Sequence, residues 1–422
     1  MISSLGTETI AAIGASNKLL TIYNAILYGS CSGCAMFMTQ YWGEGNTAGL
    51  RKIFGVLLTV TIVGGGLFSA LVLAIPDRLI MLFNDDPIVV EQAVAYMRAV
   101  VPAYFLMAII FPLEYLLRSM NKVRLIMINT IASTVINIVA NYVLIFGKFG
   151  FPAMGVTGAA LGTVLCRVAA LVVLVIYLAV SRNEIVKKPW ALFRLERRSA
   201  AAFTKKAIPM VGNEIMWQLG TTIYFIIYGK AGTDALAAMS IMQTLQQLSK
   251  IVSGSFCGAS SIIIGNQIGM GDLELVQRNC RRFHVTALIV GIISCAVVLL
   301  LIKPVLLIYG VADTQVGTYV AQCMVILSIF ILMNACNSIN VEGIFRSGGD
   351  VGWVTLMDMG SIWLIGMPFT IITGLVMNLD IVIVYSAWIV LELYKLPLGF
   401  FRFRSGKWLH RLSQNSQQQA DT

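Results

Sequence analysis

The chain has 422 residues, of which 58% are hydrophobic and only 12% charged, against roughly 25% charged in a soluble domain. Apolar runs of about 20 residues recur, each long enough to cross a bilayer as a helix, which excludes a soluble protein with a large core. The net charge of +10 does not indicate nucleic acid, because the cations lie between the apolar runs, where an anionic inner leaflet attracts them.

In chain order the pattern predicts eleven spans: 9–41, 53–75, 89–117, 123–146, 155–181, 207–229, 235–266, 283–309, 316–345, 352–377 and 380–401. Several exceed the thickness of a bilayer and so must tilt or protrude. One alternate set of connections, ending with the carboxyl tail, holds 21 Lys and Arg residues, and the other holds 4. That asymmetry places the tail in the cytoplasm. Arg182–Lys206, with eight cations and Pro189, reads as a solvated cytoplasmic connector. Residues 403–422 read as the tail, disordered over Ser413–Thr422, which is rich in Gln and Ser. Met1–Glu8 has neither the basic segment nor the apolar core of a cleavable signal.

The chain also repeats itself. Gly6-Thr7-Glu8-Thr9-Ile10-Ala11-Ala12 returns 226 positions later as Gly232-Thr233-Asp234-Ala235-Leu236-Ala237-Ala238, and Cys31, Gly43 and Gly45 return as Cys257, Gly269 and Gly271. Further on the offset is 228, carrying Pro76, Glu114, Arg118 and Ser119 onto Pro304, Glu342, Arg346 and Ser347. Two similar helical units are expected, over 1–181 and 207–402. The span 207–229 has no counterpart in the first half, where it would fall before Met1. One helix is therefore expected to be missing. A start at an internal methionine is preferred over a protein that dispenses with that helix.

Carboxylates within spans are costly, so each needs a reason. Glu114 and Glu342 each have an arginine four residues on, which reads as a pair tying down a helix end. Asp350 falls at the water boundary. Asp358 is deeper and unpaired in sequence, and Glu392 has Lys395 three residues on. Glu214 stands apart, with no cation within a turn and with Asn213, Trp217 and Gln218 beside it. An acid in an apolar wall can gain and lose a proton in use, or hold Na⁺ or an organic cation by charge. Asn137 and Asn141, four apart, supply amides where lipid supplies none, either as glue between helices or as a pocket lining. Gln243, Gln246, Gln247 and Lys250 mark one side of a long helix, where Lys250 either repels a second cation or pairs with an acid; Arg167 and Lys18 pose the same question.

Gly43-Glu44-Gly45 and Gly269-Met270-Gly271 lack the strand and the Lys-Ser/Thr of a phosphate loop and are expected to relieve helix ends. Pro102, Pro112, Pro368 and Pro397 are expected to bend spans. Cys31 and Cys34 form a C-x-x-C inside an apolar run, where buried thiols need no metal. His284 and His410 have no second ligand nearby. Neither a metal centre nor a cofactor is expected.

Gly-Thr-Asp-Ala-Leu-Ala-Ala (232–238), Gly-Met-Gly-Asp (269–272), Phe-Arg-Ser-Gly-Gly-Asp (345–350), Asn-Tyr-Val-Leu-Ile-Phe-Gly (141–147) with Gly-Val-Thr-Gly-Ala-Ala (155–160), and Arg-Phe-Arg-Ser-Gly-Lys-Trp (402–408) together resemble the multidrug and toxic compound extrusion (MATE) family. The resemblance covers nearly the whole chain and is nearest to the bacterial branch. It implies an all-α integral membrane protein of two pseudo-symmetric bundles, with 11 of twelve helices present in this chain. It also implies a cavity that opens alternately to either side and export of bulky organic cations driven by Na⁺ or H⁺. Glu214 matches the acid carried on the first helix of the second bundle, and Asn137 an asparagine of the first-bundle pocket. Asn141 falls where some members have an aspartate. Two departures stand out: the first-bundle aspartate would lie in the missing segment, and Asn334, Ala335 and Asn337 occupy the region of the second acid of Na⁺-coupled members.

The reading is a monomeric secondary exporter in a bacterial plasma membrane, not an enzyme. Glu214, with Asn213 and Gln218, exchanges a driving ion for a drug. Trp217 and Tyr224 offer ring faces to a small organic cation, and Asn137, Asn141 and Asp358 contribute to the site. The rivals are a lipid-linked precursor flippase, which a more cationic cavity would favour, and a membrane scaffold without transport.

Overall fold

The computed structural model describes residues 7–83, 86–181, 185, 192–193 and 197–412. The expected disordered tail 413–422, the first six residues and most of the connector 182–196 lie outside the described residues. Among the described residues the regular structure is helical, with no strand. Ten helices among the described residues are long and apolar enough to cross a membrane. The remaining expected span, 207–229, belongs to a helix of 34 residues, Arg197–Lys230. Asn213, Glu214, Gln218, Thr221 and Thr222 make it too polar to qualify on composition. Its start at Arg197 also turns the last ten residues of the expected connector, 197–206, into helix.

The chain divides into two compact units, Met1–Met38 with Asn46–Val211, and Thr39–Gly45 with Gly212–Thr422. The first contains α1 (Thr7–Gly43) up to Met38, α2 (Thr47–Ala74), α3 (Pro76–Met81), α4 (Pro87–Ser119), α5 (Val123–Phe146), α6 (Gly155–Val180) and the start of α7 (Arg197–Lys230). The second holds the rest of α7, then α8 (Thr233–Met270), α9 (Leu273–Leu300), α10 (Ile302–Ile308) and α11 (Gln315–Ser338). It continues with α12 (Val351–Met359), α13 (Met367–Ile371), α14 (Ile381–Tyr385) and α15 (Ala387–Ser405). The duplication is visible in these bounds: α8 to α10 begin 226 positions after α1 to α3, and α11 and α12 begin 228 after α4 and α5.

Local chemistry sets the ends. Asn46 and Asp272, equivalent by the repeat, cap α2 and α9 by accepting N–H bonds from Gly49 at 2.8 Å and Leu275 at 2.9 Å. Asp86 and Thr314 do the same for α4 and α11. Gly147, Gly271 and Gly406 close α5, α8 and α15 in the left-handed region, where a side chain would be strained. In the first unit α4 packs on α2 and α6, and in the second α11 packs on α8, α9 and α15. Repeat-equivalent helices thus occupy the centre of each bundle. Ile131, Val135, Ile138 and Val139 on α5, and Leu288, Ile289, Ile292 and Ile293 on α9, are exposed, as apolar side chains facing lipid are.

The Gly-x-Gly pairs do two different things. Gly45 and Gly271 have φ of 74° and 83° and make the turns. Gly43 and Gly269 are instead points of helix contact: a Cβ on Gly43 would meet the Asn266 backbone, and one on Gly269 the Gln40 backbone. Gln40 and Asn266 are themselves 226 apart, so the contact is reciprocal within the repeat. Gln40 also donates to the carbonyls of Ser347 at 2.9 Å and His410 at 3.1 Å, and accepts from Leu412 N–H at 2.8 Å. The part of the expected tail up to residue 412 is therefore packed into the second unit, with Trp408 buried.

Candidate functional site

Four helical segments of the second unit converge on a buried charge cluster. α7 brings Asn213 and Glu214. The π-helical continuation of α11, Ile339–Phe345, ends at Arg346, whose N–H bonds to Val341 O at 3.3 Å, one residue further back than in an α-helix. Such π-helical insertions are common at functional sites. α12 brings Asp358 near its end, and α15 brings Glu392 and Lys395.

Arg346 Nη2 lies 3.2 Å from Glu214 Oε1 and 3.9 Å from Asp358 Oδ2. Lys395 Nζ lies 2.9 Å from Asp358 Oδ1, and Asn213 Nδ2 donates to Asp358 Oδ2 at 3.0 Å. Glu392, 1% exposed, is held by amides: Asn334 Nδ2 donates to one oxygen at 2.9 Å and Asn337 Nδ2 to the other at 2.7 Å. The asparagines are three residues apart on α11 and so share a face. The cluster holds three carboxylates, Glu214, Asp358 and Glu392, against two cations, Arg346 and Lys395. Moving such charges out of water costs more than their pairing returns unless the geometry is good, so the cluster is not explained by stability alone.

Several expectations change here. Glu214 and Asp358 are not solitary acids, because the fold supplies Arg346 and Lys395 from other helices. Lys395 serves Asp358, and amides serve Glu392. Arg346, expected to serve Glu342, reaches Glu214 and Asp358. Asp350, expected at the water boundary, is buried against protein and accepts from Arg402 Nε at 2.7 Å.

Beside the cluster lies a cavity of about 270 Å³ lined by residues of α7, α8, α14 and α15, among them Trp217, Gln218, Tyr224, Gln246, Lys250 and Trp388. The α7 helix approaches this region closely because Gly220 and Gly366 leave room, Gly220 for the Ile362 side chain and Gly366 for the Tyr224 hydroxyl. Trp388 packs edge-on against Tyr224 at 5.6 Å and Phe330 at 5.5 Å. Trp217 and Tyr224 both line the cavity, and Lys395 lies 4.9 Å and Lys250 5.7 Å from the Trp217 ring centroid.

Asn137 and Asn141 lie in the first unit, and their contacts there join α5 to α6. Asn141 Nδ2 donates to Asn137 Oδ1 at 3.2 Å, and Asn137 Nδ2 to Cys166 Sγ at 3.7 Å. Cys31 and Cys34 are buried and unbridged.

This fold and this cluster can be set beside known proteins. The MatE family model matches residues 1–143 and 209–372, most of the chain. The chain belongs to the MatE family. Its multidrug-resistance relatives mark it as a member of a family of efflux transporters. Among similar proteins, the "uncharacterized transporter YisQ" of Bacillus subtilis is 22% identical over 97% of this chain and 90% of its own. The "probable multidrug resistance protein NorM" of Thermotoga maritima is 24% identical over 96% and 86%. An outward-facing multidrug-resistance MATE transporter structure has a TM-score of 0.86 at 16% identity, covering 96% of this chain and 90% of that one, which supports the MatE fold. In this MatE chain, the site residues missed from sequence were Arg346 and Lys395 as partners of Glu214 and Asp358. The two asparagines that hold Glu392 were also missed. Their signal was present in the i, i+3 spacing of Asn334 and Asn337 and in cations lying within or at the ends of apolar spans.

Proposed function

We infer that the protein is a secondary active exporter of drug-like amphiphiles in the bacterial plasma membrane, working by antiport with Na⁺ or H⁺. The observation that carries this is the buried cluster in the second unit, where Glu214, Asp358 and Glu392 outnumber Arg346 and Lys395 by one. A surplus carboxylate in an apolar bundle is a place for one small cation, whether a proton or Na⁺. When that cation leaves, Arg346 can shift its pairing between Glu214 and Asp358, which lie at 3.2 and 3.9 Å. Coupling then requires only that the two conformations of the transporter differ in their affinity for ion and cargo. The strong bias of Lys and Arg to one set of connections supports a cytoplasmic carboxyl end.

The test is dye efflux from everted vesicles with Na⁺ and pH gradients imposed separately. Glu214→Gln should insert normally and lose gradient-driven efflux. Efflux that persists at the wild-type rate would remove the cluster from the coupling step.

A further inference from the structure

We propose that the cavity in the second unit is a binding site for an organic anion, a flat apolar body carrying one negative charge, with Lys250 as its counter-charge. The proposal rests on the exporter reading above for its role in transport, but not for the binding itself. Of the residues that line the cavity, Lys250 is the only charged one. It makes no ion pair among the described residues. Its ammonium lies 5.7 Å from the Trp217 ring and 6.0 Å from the Trp388 ring. Three of the nearby acids are engaged elsewhere, Glu214 with Arg346, Asp358 with Lys395, Arg346 and Asn213, and Glu392 with two amides, and the fourth, Glu342, does not line the cavity. Glu342, Lys395, Glu392 and Glu214 are the charged groups around Lys250, and its salt-bridge distance is reached by none of them.

The ring faces point the same way. An organic cation would bind over Trp217 or Trp388, but Lys250 and Lys395 already lie over Trp217, and Lys250 over Trp388. The protein's own ammonium groups occupy the positions that such a cargo would need, and they would repel it. An anion meets the opposite situation. It can accept from Lys250 Nζ and from the amide N–H groups of Gln243 and Gln247, while its aromatic body lies among Tyr224, Phe225 and Trp388. Gln246 is already committed, donating to the Tyr385 hydroxyl at 2.8 Å. One ammonium with neutral amides balances a single charge. A pyrophosphate headgroup would leave negative charge uncompensated, which separates this site from that of a polyprenyl-pyrophosphate carrier. The cargo assigned here is thus opposite in sign to the organic cation that the family resemblance implies.

The experiment is equilibrium binding to the full chain in nanodiscs of zwitterionic lipid, by calorimetry, with empty nanodiscs as blank and no ion gradient. The probes are 2-naphthylacetate, the matching (2-naphthylmethyl)trimethylammonium and farnesyl pyrophosphate. The wild type should bind the carboxylate about 10-fold or more tightly than the ammonium, Lys250→Gln should lose about that factor, and Lys250→Arg should keep most of it. Wild type that prefers the ammonium, or Lys250→Gln that binds the carboxylate as tightly as wild type, overturns the proposal. So does a Lys250→Arg variant that loses as much as Lys250→Gln. Tighter binding of farnesyl pyrophosphate than of naphthylacetate overturns the single-charge assignment. Because no gradient is present, absence of ion-driven efflux in vesicles leaves this result untouched, and failure of anion binding leaves the coupling cluster untouched.

Discussion

The two units use the same order of helices and differ in what their charges do. In the first, Arg118 stays with Glu114 one turn away on its own helix, at 3.9 Å and with its side chain 42% exposed. In the second, the repeat-equivalent Arg346 is 8% exposed and reaches acids on two other helices. The scaffold is common to both, but the partners are not. The position equivalent to Asp358 is Thr130 in the first unit. Glu214 stands on α7, for which the described residues of the first unit offer no equivalent. A duplicated bundle can therefore give equivalent positions different charge partners.

The sharpest way to break this comparison is to remove the two arginines in turn. Arg346→Gln strands Glu214 and leaves Asp358 with Lys395 alone. Removing one partner of a buried pair costs about 3–5 kcal/mol. Unfolding by sodium dodecyl sulfate in mixed micelles should show a loss of that size, and Arg346→Met with Glu214→Leu should recover most of it. An Arg346→Gln variant as stable as wild type would mean that the pairing carries no structural weight.

The next effect tests the symmetry instead of the difference. Gly43→Val and Gly269→Val each push a side chain into the backbone opposite, at Asn266 and Gln40. Overpacking of this kind costs about 1–3 kcal/mol. The two variants should lose stability to within about 0.5 kcal/mol of each other, on the same detergent titration. Unequal losses would show that the Gly-x-Gly repeat is reciprocal in sequence only.

Asn337→Ala should follow, at about 1–2 kcal/mol, because it removes donors to the Glu392 side chain and to its carbonyl. Asn334→Ala removes a single bond to Glu392 and should cost less. Equal losses would mean that Glu392 is not held by these amides.

Much of this architecture is legible in the sequence because membrane spans are written in composition and the repeat in spacing. Gly43 with Gly269 and Arg118 with Arg346 locate equivalent positions before any coordinate is known. What is not legible is which charges meet. Glu214 lies 132 residues from Arg346, and Asp358 lies 37 from Lys395. A reading along one helix therefore pairs Arg346 with Glu342 and Lys395 with Glu392, and packing overrules both choices. Asn334 and Asn337 look like the loss of an acid in sequence. In space they are the amides that hold an acid from α15. Asn137 and Asn141 read in sequence as either interhelical glue or a pocket lining, and in space Asn141 donates to Asn137 within α5 while Asn137 reaches Cys166 on α6.

The smallest predicted effect is the control that gives the largest its meaning. Arg118→Gln removes the cation that is the repeat mate of Arg346, but its contact is a distant pair four residues apart on one helix, on a side chain well exposed. Such pairs contribute about 0.3–0.5 kcal/mol, and the separation of 3.9 Å puts this one at the low end. Its unfolding curve should therefore overlie that of the wild type, while Arg346→Gln moves by several kcal/mol. If the two arginines instead cost the same, the first unit must hide a buried network of its own around Glu114 and Arg167, and the division of labour between the bundles would not exist.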